Sequence, residues 1–340
     1  MPLKSTFGAG SGRGFGGGGS RAAFLDYMVV AGGGGGGSQI SGAGGAGGFR
    51  ESSGSGTGCY TTSPLGSGVE SFAVEPGPYA ITVGAGGAGN PSPGGTGSVG
   101  GDSVFAYTTT ITSAGGGNYR VANPNPGDGG SGAGTQSAPQ TVGAGNIPPT
   151  SPPQGNPGGK GLDTQSPAGG VKGAGGGGGA TAVGGSVLSP GGLNSLNPAT
   201  ERGGGAGATT NITGSPAIYA GGGGGGVEAQ ANTPSYPQSL GGPGGGGIGS
   251  AAGPPAYYLA ATAGTANTGG GGGGASNAPF PFPAAQASGK NGGSGIVVLR
   301  FPATTCVSAA PGTNTITTLP APAGSFKIAT FTVSGTLTIT

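Results

Sequence analysis

Gly32-Gly33-Gly34-Gly35-Gly36-Gly37, entered directly from the apolar stretch Phe24 to Ala31, is the part of this sequence that decides its fold. Uninterrupted runs of similar length return at Gly175 to Gly179, Gly221 to Gly226 and Gly269 to Gly274. Other glycine segments are interrupted, and the interruptions fall three apart: Ala43, Ala46 and Phe49; Ala85 and Ala88; Thr96, Val99 and Asp102; Asn291, Ser294 and Val297. A period of three belongs to neither strand nor α-helix. It is the repeat of the polyproline II conformation, with three residues per turn and a rise of about 3.1 Å.

An isolated helix of that kind leaves its backbone N–H and C=O groups to water, whereas a polyglycine version packed beside its neighbours can pair them laterally. A helix surrounded on all sides has no space for a Cβ, and one at the perimeter can carry a side chain at every third position. The pure runs are therefore expected inside and the interrupted ones outside. Six residues span about 19 Å at that rise, so the body is expected to be thin. The fold class expected is irregular, mainly coil with short β-strands: packed polyglycine II helices forming a thin sandwich, with β-strands at one end and a C-terminal β-hairpin. Collagen is the rival, but no stretch keeps strict Gly-X-Y for even a few dozen residues.

Working outward to the whole chain, 93 of 340 residues are Gly and 30 are Pro, a bias that usually means disorder, because Gly loses the most entropy on ordering. Against disorder stand the 6% charged residues, the recurrence of glycine runs of one length and the strand-like segments that abut them. There is no His, the commonest general base and metal ligand. The nine acids, Asp26, Glu51, Glu70, Glu75, Asp102, Asp128, Asp163, Glu201 and Glu228, form no recognisable motif. No GK[ST] phosphate loop is present: Gly159-Lys160 is followed by Gly161 and Gly289-Lys290 by Asn291. An enzyme, a cofactor and a metal site are therefore not expected. The net charge of +2 comes from scattered basic residues, so no nucleic-acid partner is expected either. Cys59 and Cys306 form no CxxC or zinc motif; they are read as two small separate residues, with a single bridge as the alternative. The start of the chain has no apolar core for a signal peptide, and Phe24 to Ala31 is too short to span a bilayer, so synthesis in a cytoplasm without membrane insertion is expected.

Stretches rich in Pro, Asn, Ser and Thr separate the glycine segments and read as loops. If each segment crosses the slab and each loop reverses direction, all four pure runs point the same way. One end then receives the loops near Asn118 to Pro126, Asn146 to Gln154, Ala180 to Arg202, Val227 to Leu240 and Ala275 to Ala287. The opposite end receives the strand-like pieces Phe24 to Ala31, Tyr79 to Val83, Val104 to Thr112, Ile218 to Ala220 and Ile296 to Phe301, together with Tyr257 and Tyr258. The loop end carries Tyr119, Arg120, Leu193, Leu196, Tyr236, Phe280 and Phe282, the candidate receptor-binding residues, because aromatics on loops over a fixed scaffold suit recognition. Each ring can instead fold back and cap the slab's exposed backbone.

Three regions follow: an N-terminal docking arm over residues 1–23, the glycine body over 24–301 and a β tail over 302–340. In the tail, Phe326 to Val333 and Thr336 to Thr340 read as a hairpin around Ser334-Gly335, which needs the slab, another copy or another protein to pair with.

Three blocks carry a resemblance: Phe24 to Gly37, Tyr79 to Gly89 with its Ile81-Thr82-Val83-Gly84, and Gly292 to Arg300 with its Ile296-Val297-Val298-Leu299. In this order they resemble the glycine-rich domain common in phage tail proteins, and the architecture is similar to the polyglycine sandwich of adhesins that tip the long tail fibres of T-even-type phages. The resemblance implies a virion protein whose loops touch a host-surface protein or glycan and whose other contacts are with tail proteins. A capsid decoration or fibre component without a receptor is the alternative. The β tail has no counterpart in that adhesin, and self-association through it is a further expectation.

Overall fold

The computed structural model describes residues 23–58, 60–66, 68–91, 97–119, 127–136, 141–163, 171–187, 201–229, 237–253, 257–277, 287–320 and 326–340. Among these the chain is mostly coil with short strands, and its only helix is a single 3-10 turn at Pro64–Gly66. The strands, in chain order, begin with β1 (Phe24–Val30), β2 (Phe49–Glu51), β3 (Phe72–Ala73), β4 (Gly77–Thr82), β5 (Ser103–Ala106) and β6 (Thr110–Ser113). Next come β7 (Leu162–Asp163), β8 (Val171–Gly173), β9 (Ala208–Thr210), β10 (Ala217–Tyr219), β11 (Val227–Ala229), β12 (Ala251–Gly253) and β13 (Tyr257–Leu259). The last are β14 (Ile296–Pro302), β15 (Val307–Ala310), β16 (Thr315–Thr318), β17 (Phe326–Phe331) and β18 (Gly335–Ile339).

At one end β1 and β14, which bracket the glycine body, lie side by side in the sheet β16-β17-β14-β1-β2, with β3 also on β1. A second sheet, β15-β18-β4-β5-β6, packs against it. Leu25, Tyr27 and Val29 of β1 and Val297, Leu299 and Phe301 of β14 meet Ile81, Phe105, Leu337 and Ile339 in the core between the sheets. The alternate residues Met28, Val30, Ile296 and Val298 face Ala46, Phe49, Ile212 and Tyr219 on the far side. Burial on both faces explains why these two strands read as nearly continuous apolar runs.

The two charges that interrupt those runs, Asp26 and Arg300, stand opposite each other in the β1–β14 register. Asp26 is fully buried. Its carboxylate accepts from the hydroxyls of Ser52, Thr57 and Ser71 and from the Thr57 N–H. The Arg300 guanidinium lies over the rings of Phe326 and Tyr60, at 4.2 and 5.1 Å from their centroids.

Nearby, buried Glu51 accepts from the Ser63 N–H at 2.9 Å and from the Thr210 hydroxyl. Loss of solvation holds its carboxyl above the usual glutamate range. The folded chain then binds this proton more tightly than the unfolded chain, so the stability it contributes is full below about pH 4 and is lost as pH rises through the raised folded value. Glu51→Gln is expected to remove that dependence, with the amide turned toward the rotatable Thr210 hydroxyl. Denaturant unfolding between pH 4 and 7 checks this: the variant gains on the wild type as pH rises, and a pH-independent difference would contradict the assignment.

Away from the strands, glycine segments pair laterally through their backbones. Gly32, Gly33 and Gly34 donate to Gly101, Gly293 and Gly45, and Gly35, Gly36 and Gly37 return to the same three segments at Ser98, Lys290 and Gly42, all at 2.9–3.1 Å. Three further segments donate to this run from Gly87, Gly116 and Gly272, so six neighbours ring it. All four pure runs are buried, while Ala85, Ala88, Val99 and Asn291 are exposed, as a three-residue outer repeat requires. Ala43 and Ala46 differ from expectation. Both are 0% exposed, because their segment is itself ringed by neighbours including Gly117, Gly175, Gly223 and Gly272.

The expected directions also need correction. Gly272 and Ala275 donate to Gly34 and Gly37, and Gly271 and Gly274 to Gly221 and Gly224, so three pure runs are parallel. Gly177 and Ala180 donate to Gly223 and Ala220, which makes Gly175 to Gly179 antiparallel to them. The reason is a short segment around Gly184-Gly185, hidden inside what reads as one loop, that bonds to Gly176 and Gly203 and adds a reversal. Ala180 therefore packs at the strand end, on Val30 and Ile296. Asn146 to Gln154 lies there too, since Gln154 accepts from Phe49 and Ala114.

The tail is not a hairpin. β17 pairs with β14 and β16, whereas β18 pairs with β4 and β15, so the two strands enter different sheets. The intervening residues are held from outside: Thr332 and Val333 donate to the Asn314 side chain, and the Ser334 hydroxyl accepts from Val83. Val104 to Thr112 is likewise not one strand, being the pair β5 and β6 in antiparallel register. Cys306 is exposed, whereas Cys59 and residues 1–22 of the expected docking arm lie outside the described residues.

Candidate recognition surface

The end opposite β1 and β14 is reached by following the parallel runs to Gly37, Gly226 and Gly274. It has a small sheet of its own, β13-β12-β11-β8-β7, which was not expected there. The sheet forms because the segments ending in Gly226 and Ser250 emerge side by side, and Val227 and Ala251 continue as the parallel pair β11–β12. Val227 and Ala251 pack with Val187, and Leu162 and Tyr257 close over them. Lys172 and Glu228 are cross-strand partners on β8 and β11, an opposite-charge pair suited to a half-solvated sheet. The Asn277 amide donates to Glu228 at 2.8 Å, tying the end of the Gly269 to Gly274 segment to this sheet.

Tyr257 and Tyr258 therefore lie at this end, against the expectation that placed them at the other. The cause is a second unread reversal, at the turn Pro243 to Gly245, which sets Gly246 to Ser250 parallel to Gly221 to Gly226 and so brings the equally unread β12–β13 pair to this end. Tyr258 is held above the usual phenol range, chiefly by burial and with an opposing contribution from a hydrogen bond to Ser250.

Of the seven candidate residues only Tyr119 is among those described. It is 1% exposed, its ring lies against Gly37, and its hydroxyl is 3.0 Å from the Gln136 Oε1 to which it donates. It acts in the described structure as a packed ring that fixes the ends of two segments. Arg120, Leu193, Leu196, Tyr236, Phe280 and Phe282 lie outside the described residues. The residues that flank them do converge here. Val187 packs on Val227, Arg202 donates to the Pro237 carbonyl, and Ala287 accepts from Gln39.

Sequence reasoning missed the turn Ser38 to Ile40. Gln39 and Ile40 have φ of 60° and 55°, in the left-handed region that a β-branched residue rarely enters. Such backbone costs on the order of 1–3 kcal/mol and persists only where the surroundings enforce it. Ile40 is buried, leaving Gln39 exposed at the tip. Leu259 at 40% exposure and the exposed Asn277 stand at the same end. A polar residue between a pure glycine run and Ser41 was the available signal for Gln39.

No group of three or more His, Cys, Asp or Glu side chains that could hold a metal occurs among the described residues. No helix among them is long and apolar enough to cross a membrane. No curated protein and no solved structure matches the chain. The profile of one family, described as a glycine-rich domain, does match, and it spans residues 17–302. That span includes the strands that bracket the body and every glycine segment between them, so the chain belongs to the glycine-rich domain family.

Proposed function

We propose that this chain is a non-enzymatic receptor-binding module of a bacteriophage tail fibre or tail tip, whose glycine segments are packed polyglycine II helices. In this reading the strand end faces other virion proteins and the end bearing β11 to β13 meets a host-surface protein or glycan. No cofactor, nucleic acid or membrane insertion takes part. The observation that carries the reading is the division of the molecule. One end is a two-sheet core with both termini of the glycine body in it, and the other is a small sheet and a strained turn from which the candidate loops depart. A rigid scaffold with variable loops at one end is the usual arrangement of a recognition protein.

The test is host adsorption measured alongside protein content per purified particle. Buried aromatic anchors cost about 2 kcal/mol or more when truncated, roughly a thirtyfold loss of affinity. The double variant Tyr236→Ala, Phe282→Ala is expected to adsorb poorly at normal incorporation. Ile218→Ala, exposed on β10 at the strand end, is expected to adsorb normally. The burial of Tyr119 favours a second reading, a structural virion protein whose loop aromatics cap the slab. Normal adsorption of the double variant would select it.

A further inference from the structure

Between the outer segments 182–186 and 203–206 runs a groove of about 580 Å³, whose lining is rich in glycine and also includes Val183, Glu201 and Pro243. Among the described residues the N–H groups of Val183, Gly203 and Ala206 have no hydrogen-bond acceptor, and the carbonyls of Gly184 and Gly204 have no donor. Gly203 and Ala206 are three apart, the spacing with which every interior segment bonds its neighbours. Such a wall is the glycine-segment counterpart of an open sheet edge, a template for one more chain of the same repeat. On the groove's rim stands Val183, 60% exposed, the most exposed large hydrophobic side chain among the described residues.

We propose that this face is a self-association surface whose occupant is the same ridge of a second copy. A matching segment must offer both N–H and C=O groups at three-residue spacing, carry small side chains, and bring something apolar to the groove. A proline-rich segment lacks the N–H groups that the Gly184 and Gly204 carbonyls need. The chain's own ridge has all three features, since Val183 lies beside the unpaired backbone groups. A two-fold relation places each Val183 in the partner's groove, an isologous contact. The contact is confined to one groove and the ridge beside it, so the association is expected to be weak and to depend on concentration.

Sedimentation velocity of the full chain over a wide concentration range reads this directly. The weight-average mass of the wild type is expected to climb from monomer toward dimer. Val183→Glu should remain monomeric while melting like the wild type. Val333→Glu, 42% exposed in the tail, should associate as the wild type does. A wild type that stays monomeric throughout overturns the proposal, as does a Val183→Glu protein that associates normally. Association abolished by Val333→Glu alone would move the interface to the tail strands and overturn it equally.

Discussion

Gly223→Ala is expected to abolish folding, although it adds a single methyl group. A Cβ at Gly223 would sit 2.2 Å from the Gly272 carbonyl oxygen and 3.0 Å from the Ala43 Cβ. The first contact is far inside van der Waals distance, and its partner is backbone that cannot rotate away. Nor can the backbone retreat, because Gly223 donates to Gly44 and accepts from Gly177, while Gly272 is bonded to Gly34. Ordinary overpacking costs about 1–3 kcal/mol because side chains adjust, and here nothing adjustable lies in the way. Gly34→Ala, aimed at the Gly117 oxygen at 2.0 Å, should behave alike. Gly312→Ala, with nothing within 4 Å, should stay within about 0.5 kcal/mol of the wild type. Soluble yield and thermal melts of the three variants check this, and equal behaviour would contradict the packed interior.

Asp26→Ala is expected to cost about 3 kcal/mol or more. The substitution leaves the buried Thr57 N–H without an acceptor and removes the common acceptor of three hydroxyls. It also leaves Arg300, 4% exposed, without the carboxylate opposite it in register. Ser55→Ala, on an exposed turn, is the comparison. Urea unfolding measures both, and an Asp26→Ala loss under about 1 kcal/mol would show that the carboxylate does not organise this core.

How much was legible in the sequence follows from where the physics is local. The glycine runs and their three-residue interruptions are local signals, and Ala85, Ala88 and Val99 are exposed in that rhythm. β1 and β14 were legible because strands buried on both faces leave continuous apolar runs. The direction of Gly175 to Gly179 was not, because one reversal rests on a segment with only Gly184 and Gly185 to mark it. Ala43 and Ala46 read as perimeter residues, yet their methyl groups fill interior gaps that no spacing rule reveals. Ser334-Gly335 looked like a hairpin turn because turn chemistry does not say which sheet each arm joins. At the candidate surface, strands of three residues carry too little pattern to be read. β12, Ala251-Ala252-Gly253, has no residue with strong strand preference and is fixed by its neighbour β11.

The central claim is that the glycine runs are an ordered, laterally bonded interior that fixes the loop end relative to the strand end. Amide hydrogen exchange on the full chain tests it most directly. Amides of Gly32 to Gly37, Gly221 to Gly226 and Gly269 to Gly274 are predicted to exchange as slowly as those of Val297 to Leu299 in β14, since both open only with the whole fold. Exchange of the glycine runs at the rate of an unstructured peptide, with β14 still protected, would contradict the account.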